Sequence, residues 1–180
     1  PSFDGYTGEV LLSNNKYIQN ELLIDVAFRT HTADSFVFTG NIVAYGETQK
    51  LAGSQITSWD LTGSSAIDMK AMKSFVISNN SFDFTGAEAS ATTTYSSMIN
   101  VTNVEELILK DNYIYNHPCG IIYNEARTAD APDVSSYTLS GNHFKDIATD
   151  STKFGVENGK PIWFGNANSL LNVTIKDNVF

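Results

Sequence analysis

Four short apolar runs carry one residue of a different kind at the same place: Ile24-Asp25-Val26, Ile67-Asp68-Met69, Ile99-Asn100-Val101 and Ile162-Trp163-Phe164. If each run is a strand with its flanking apolar residues turned inward, Asp25, Asp68, Asn100 and Trp163 form one outward row. Asp25 and Asp68 then sit on neighbouring strands, about 5 Å apart. Two unpaired carboxylates at that distance repel, and a calcium ion, which takes several oxygen ligands, would relieve them. The plainer alternative is a pair of solvated acids offset by Lys70 or Arg29. Trp163 could stack on a sugar ring or pack beneath a loop. The same two readings hold for Trp59, in the long loop 47–65 that overhangs this side. A fifth, weaker run at 120–124 offers Asn124 or Tyr123, its register being ambiguous.

What positions such a row is a repeat. Six asparagines, Asn15, Asn41, Asn80, Asn112, Asn142 and Asn178, each close a phrase of the same form. Apolar residues stand five and three positions before each one, a turn-former immediately before it, and an apolar residue two positions after. Alternation with period two means a strand with one face buried. The asparagine interrupts it, so the chain bends there. Asparagine tolerates the left-handed conformation and can bond locally through its amide. Successive asparagines are 26, 39, 32, 30 and 36 residues apart, too uneven for hexapeptide or nonapeptide coils. The spacing suits coils of three strands joined by loops of variable length. In each coil one of the short runs (22–28, 66–69, 98–101, 120–124 or 161–164) leads through a polar turn into the next phrase. Six coils stacked at the spacing of paired strands make a rod roughly 29 Å long.

The phrases Phe75-Val76-Ile77-Ser78-Asn79-Asn80-Ser81-Phe82 and Val173-Thr174-Ile175-Lys176-Asp177-Asn178-Val179-Phe180 resemble those of the pectate-lyase-like right-handed parallel β-helix. The likeness covers nearly the whole chain. It implies an all-β solenoid of about six three-strand coils, with the bend asparagines stacked as an internal ladder. The phrasing is also similar to β-helical domains of secreted bacterial polysaccharide-utilisation proteins. In the resembling family the ligand groove follows the sheet of the short runs, which here makes Asn100, Asn124, Trp163 and Trp59 candidate polysaccharide contacts. Its lyases abstract the proton alpha to a uronate carboxylate with a Lys or Arg while calcium stabilises the carbanion. Lys70, Arg29 and Arg127 are then the candidate bases, and Asp25 and Asp68 the candidate calcium ligands. Such a base needs a lowered pKa, and none of the three lies in a recognisable catalytic motif. The hydrolases of this fold need clustered aspartates, whereas the outward row holds two acids followed by an asparagine, so elimination is favoured over hydrolysis. The fold also hosts adhesins and spikes, so a non-catalytic carbohydrate-binding or cell-surface module is the competing expectation.

Composition sets outer bounds. At 180 residues the chain is one domain, 1–180, and both of its ends fall inside the repeat, as expected for a fragment of a longer protein with further domains; self-association through the ends is the alternative. The net charge of −9 and the lack of a basic stripe argue against nucleic acid. The charge also opposes capture of an acidic glycan unless a divalent cation bridges the two. No run is long and apolar enough to span a membrane. The single Cys119 excludes an internal disulfide framework. The resemblance implies a secreted, periplasmic or cell-surface location. His31 and His117 read as turn and loop residues on the surface and His143 as an outward residue after a bend, with no shared spacing for zinc.

Overall fold

Short alternating runs separated by turn residues can bury one face only by pairing edge to edge. In the computed structural model, all regular structure among the described residues is β. Those residues are 8–19, 28–30, 33–45, 49–51, 56–58, 72–89, 98–100, 104–118, 120–125, 136–147, 162–165 and 172–180. The chain runs β1 (Glu9–Ser13), β2 (Lys16–Gln19), β3 (Phe28–Thr30), β4 (Ser35–Thr39), β5 (Ile42–Tyr45), β6 (Gln49–Leu51) and β7 (Ile56–Ser58). It continues through β8 (Met72–Ser78), β9 (Ser81–Asp83), β10 (Ala87–Ala89), β11 (Ile99–Asn100), β12 (Val104–Lys110), β13 (Tyr113–Tyr115) and β14 (Ile122–Glu125). The last four are β15 (Ser136–Ser140), β16 (His143–Lys145), β17 (Ile162–Gly165) and β18 (Asn172–Lys176).

These strands form three main sheets, and every pairing in them is parallel. The first is ordered β1-β4-β8-β12-β15-β18, the second β2-β5-β9-β13-β16, and the third β3-β7-β11-β14-β17. A small fourth sheet pairs β6 with β10. Within each main sheet, spatial order follows chain order. The chain therefore visits first, second and third sheet in turn, then moves one strand along and repeats.

The apolar positions of the phrase face one common core. Phe36, Phe38, Phe75, Ile77, Leu107, Leu109, Tyr137 and Leu139 are buried from the first sheet, and Val43, Phe82, Ile114 and Phe144 from the second. Ile99 and Ile122 are buried from the third. Phe36 stacks on Phe75 with ring centroids 4.6 Å apart, and Phe38 lies 5.9 Å from Phe82 across the bend. Each such ring contributes roughly 1.5–3 kcal/mol by leaving water. The last strand differs: Val173 and Ile175, paired with buried Tyr137 and Leu139, are exposed, as is Phe180 although it stacks on Phe144.

The bend between first and second sheet is built from two residues with separate tasks. The left-handed conformation, expected at the asparagines, falls instead on the residue before each: Asn14, Asn79, Asp111 and Asp177 have φ between 53° and 57°, and Gly40 and Gly141 have φ of 67° and 65°. Glycine, asparagine and aspartate are the types that adopt this region most readily. The asparagine that follows is free to point its amide inward, and it does. Asn41, Asn80, Asn112 and Asn142 are buried.

Their amides form a continuous column. Each Oδ1 accepts two hydrogen bonds from the preceding asparagine, one from its backbone N–H and one from its Nδ2. For Asn112 these come from Asn80 at 3.0 and 2.9 Å. Each Nδ2 also donates to the carbonyl three residues before the preceding asparagine, Asn112 to Ile77 at 2.9 Å and Asn142 to Leu109 at 2.7 Å. The same pattern runs from Asn15 to Asn178. At the far end Asn178 Nδ2 donates to Leu139 O at 2.9 Å, and to Lys176 O at 3.0 Å in place of a further asparagine.

Three strand boundaries differ from the reading of the sequence. The described third-sheet strand of the first passage is Phe28–Thr30, so Arg29 lies in a strand rather than in a polar turn. In the second passage it is Ile56–Ser58, inside the expected long loop 47–65, and it pairs with Ile99–Asn100; the 66–69 run lies outside the described residues. The 47–65 segment also holds β6. In the fourth passage the ambiguous register resolves with Tyr123 opposite Trp163 and Asn124 opposite Phe164.

Replacing Asn112 by Leu removes an acceptor from two Asn80 donors and a donor from Ile77 O and Asn142 Oδ1, all buried. We expect a loss of about 3–5 kcal/mol in urea unfolding, against under about 1 kcal/mol for Asn15→Leu at the exposed end. A Gly141→Ala change places a Cβ in left-handed backbone and against the Asp111 carboxylate. It should cost about 1–2 kcal/mol in the same assay, chiefly through φ, because the carboxylate can swing aside.

Candidate functional site

The third sheet carries the row singled out in the sequence, with different members. Phe28, Ile56, Ile99, Ile122 and Ile162 pair in sequence across β3, β7, β11, β14 and β17. One residue further on, Arg29 pairs with Thr57 and Thr57 with Asn100, and Tyr123 pairs with Trp163. The register therefore aligns Arg29, Thr57, Asn100, Tyr123 and Trp163 along the stack, each one place beyond a residue of the isoleucine row. Ile99 and Ile122 in that row are buried. Strand spacing puts successive members about 4.8 Å apart.

Of the residues proposed from sequence, Asn100 and Trp163 keep their places in this row. Asn124 does not; it stands one position on, beside Phe164. Arg29, read as a turn cation, enters the row at its first place. Asp25, Asp68, Lys70, Trp59 and Arg127 lie outside the described residues. The places assigned to Asp25 and Asp68 in the row are held by Arg29 and Thr57. Among the described residues no group of three or more His, Cys, Asp or Glu is placed to hold a metal ion.

Thr57 was missed for a definite reason. Ile56-Thr57-Ser58 has a single large apolar residue amid Gly, Ser and Thr, so it carries no alternation. Counting from the bend reveals it. Phe28, Ile99, Ile122 and Ile162 stand 13, 19, 10 and 20 residues after their asparagines. Ile56 stands 15 after Asn41, whereas Ile67 stands 26 after it. Tyr123 was weighed against Asn124, and pairing with Ile162 and Trp163 decides for the tyrosine.

The histidines divide. His31 lies outside the described residues. His117 is not a surface residue: it is fully buried, edge-on to Phe84 with centroids 4.5 Å apart. His143 is half-buried on the second sheet, one residue after Asn142, and turns to the outer face as its position required.

No helix among the described residues is long and apolar enough to cross a membrane. No family model, no curated protein and no solved structure matches the chain.

Proposed function

We propose that this chain is a right-handed parallel β-helix associated with carbohydrate, which lays a polysaccharide along its third sheet. The observation that carries the reading is the register row Arg29, Thr57, Asn100, Tyr123 and Trp163. It lines up a cation, a hydroxyl, an amide and two aromatic residues at regular steps, the residue types that bind hydroxyl-rich chains. The helical reading is supported by the fixed order in which the chain visits three parallel sheets, and by the single unbroken asparagine column. Parallel crossovers are right-handed in nearly all proteins. The phrases of the sequence resemble the pectate-lyase-like helices and the secreted bacterial domains built on them, and that resemblance supports a secreted, periplasmic or cell-surface location.

Binding without turnover is the form the row favours, since it holds no carboxylate. A second form, calcium-assisted elimination on an acidic glycan, is favoured by one observation: Arg29, a candidate base, stands in the row. Lys70 and Arg127 are the other candidate bases, and Asp25 and Asp68 the ligands that calcium would use; the ion would stabilise the carbanion. No step is assigned to it, since Asp25 and Asp68 lie outside the described residues.

The discriminating experiment incubates the protein with acidic and neutral polysaccharides, with calcium or chelator. It follows absorbance of unsaturated uronate products, reducing ends and retardation in polysaccharide gels. We expect retardation without product, weakened about tenfold by Trp163→Ala, the size of one lost aromatic contact. Calcium-dependent absorbance abolished by Arg29→Ala would establish the eliminating form. Absence of both retardation and product on folded protein would sink the carbohydrate reading.

A further inference from the structure

The second sheet presents two rows of side chains on its outer face between β9 and β16. One runs Ser81, Tyr113, His143 and the other Asp83, Tyr115, Lys145, both in register across parallel strands. The sequence dictates this. They are the first and third residues after each bend asparagine, and the residue between them (Phe82, Ile114 or Phe144) is the buried one. Tyr113 is 53% exposed, and Tyr115 and His143 are half-buried. Ring centroids lie 5.7 Å apart for Tyr113 and His143, 6.2 Å for Tyr115 and His143, and 6.3 Å for the two tyrosines. The three rings thus form one continuous aromatic patch on a solvent-facing sheet. No described residue hydrogen-bonds to either tyrosine hydroxyl.

Beside the rings a small network fixes a carboxylate. Thr85 donates to Asp83 Oδ1 from its backbone N–H at 2.9 Å, and its hydroxyl donates to the same oxygen. Asn116 Nδ2 donates to Thr85 Oγ1 at 2.8 Å and, more distantly, to Asp83 Oδ1 at 3.5 Å. Among the described residues every bond that Asp83 accepts goes to Oδ1, which leaves Oδ2 open. Burial pushes this carboxyl up, but the hydrogen bonds from Thr85 and Asn116 outweigh it and hold the group below its ordinary value. It is therefore ionised at neutral pH. Lys145 is exposed at the end of the same row.

A pyranose ring suits this surface. Its face carries C–H bonds whose positive hydrogens meet the negative face of an aromatic ring. Its rim carries hydroxyls that donate to a carboxylate and accept from an ammonium or a phenol. One carboxylate and one ammonium balance here, in a chain of net charge −9, which favours a neutral glycan over a polyanion. The rings occupy two adjacent strands, and with Asp83 on the next the surface extends over two strand spacings, about 10 Å, a length that suits a chain.

We propose that this face is a second saccharide platform, where Tyr113, Tyr115 and His143 stack on the units of a neutral glycan while Asp83 Oδ2 and Lys145 hold their hydroxyls. It rests on the reading of the protein as carbohydrate-associated but puts the contact on a different sheet. The test is affinity electrophoresis in gels of xylan, mixed-linkage glucan or glucomannan, with polygalacturonate as the acidic comparison. The wild type should be retarded by at least one neutral glycan. Tyr113→Ala and Tyr115→Ala should each weaken that binding about tenfold with unchanged melting temperature, and Tyr113→Phe should retain most of it. Wild-type retardation in both alanine variants overturns the platform. If Trp163→Ala alone loses binding, the platform fails while the third-sheet reading stands. If only the tyrosine variants lose it, the platform stands and the third-sheet reading fails. Retardation by polygalacturonate alone overturns the neutral-glycan assignment, and no retardation of the wild type by any glycan overturns both readings.

Discussion

The fold depends on satisfying backbone groups at a buried bend. Where the chain turns from first to second sheet, the backbone N–H groups of Asn41, Asn80, Asn112 and Asn142 fall past the last ladder bonds, inside an apolar core. An unpaired buried N–H costs on the order of 1–3 kcal/mol, so a bend of apolar residues repeated along the stack would be prohibitive. The asparagine of the next passage supplies the acceptor in every case, through its Oδ1. Its amide then needs partners of its own, and the neighbouring asparagines provide them. Once that column exists, the positions two residues after and three residues before it are forced into the core, and the aromatic stacks follow.

This explains what could be read from the sequence and what could not. The bends and the first two sheets were legible, because a buried amide and its flanking apolar residues leave a fixed pattern of five, three and two. The identity of the left-handed residue was not, since Asn79-Asn80 offers two suitable types side by side and only geometry assigns their tasks. The third sheet was legible where an isoleucine is flanked by apolar residues, as at Ile99 and Ile162. It failed at Ile56, where the strand is three residues long and polar on both sides of the isoleucine. No amide column anchors that sheet, and the distance from bend to strand varies between passages. The register row is affected in turn: its first two described members are Arg29 and Thr57, while Asp25 and Asp68 lie outside the described residues. His117 was misread for a related reason. A histidine before a proline looks like a loop residue, and nothing in the local pattern announces Phe84 packed against its ring.

The outer face of the second sheet is equally legible in the sequence, because it needs only the bend asparagine as an origin. Tyr113, Tyr115 and His143 fall at offsets of one and three from it. Their clustering comes from stacking successive passages in strict register, which converts residues about 30 positions apart in sequence into neighbours about 5 Å apart. Exposed functional chemistry in such a molecule is thus written in columns down the repeat rather than in runs along the chain.

The amide column also has a direction. From Asn41 to Asn178 every Oδ1 faces toward the Asn15 end and accepts from that side, so these five carbonyl dipoles add instead of cancelling, as peptide dipoles add along a helix. Hydrogen bonds in such a chain polarise one another. The stack is consequently a vector: its amide oxygens point one way and its amide N–H groups the other. An asparagine added beyond Asn178 would fit in one orientation only, its Oδ1 taking over the donor that Asn178 gives to Lys176 O.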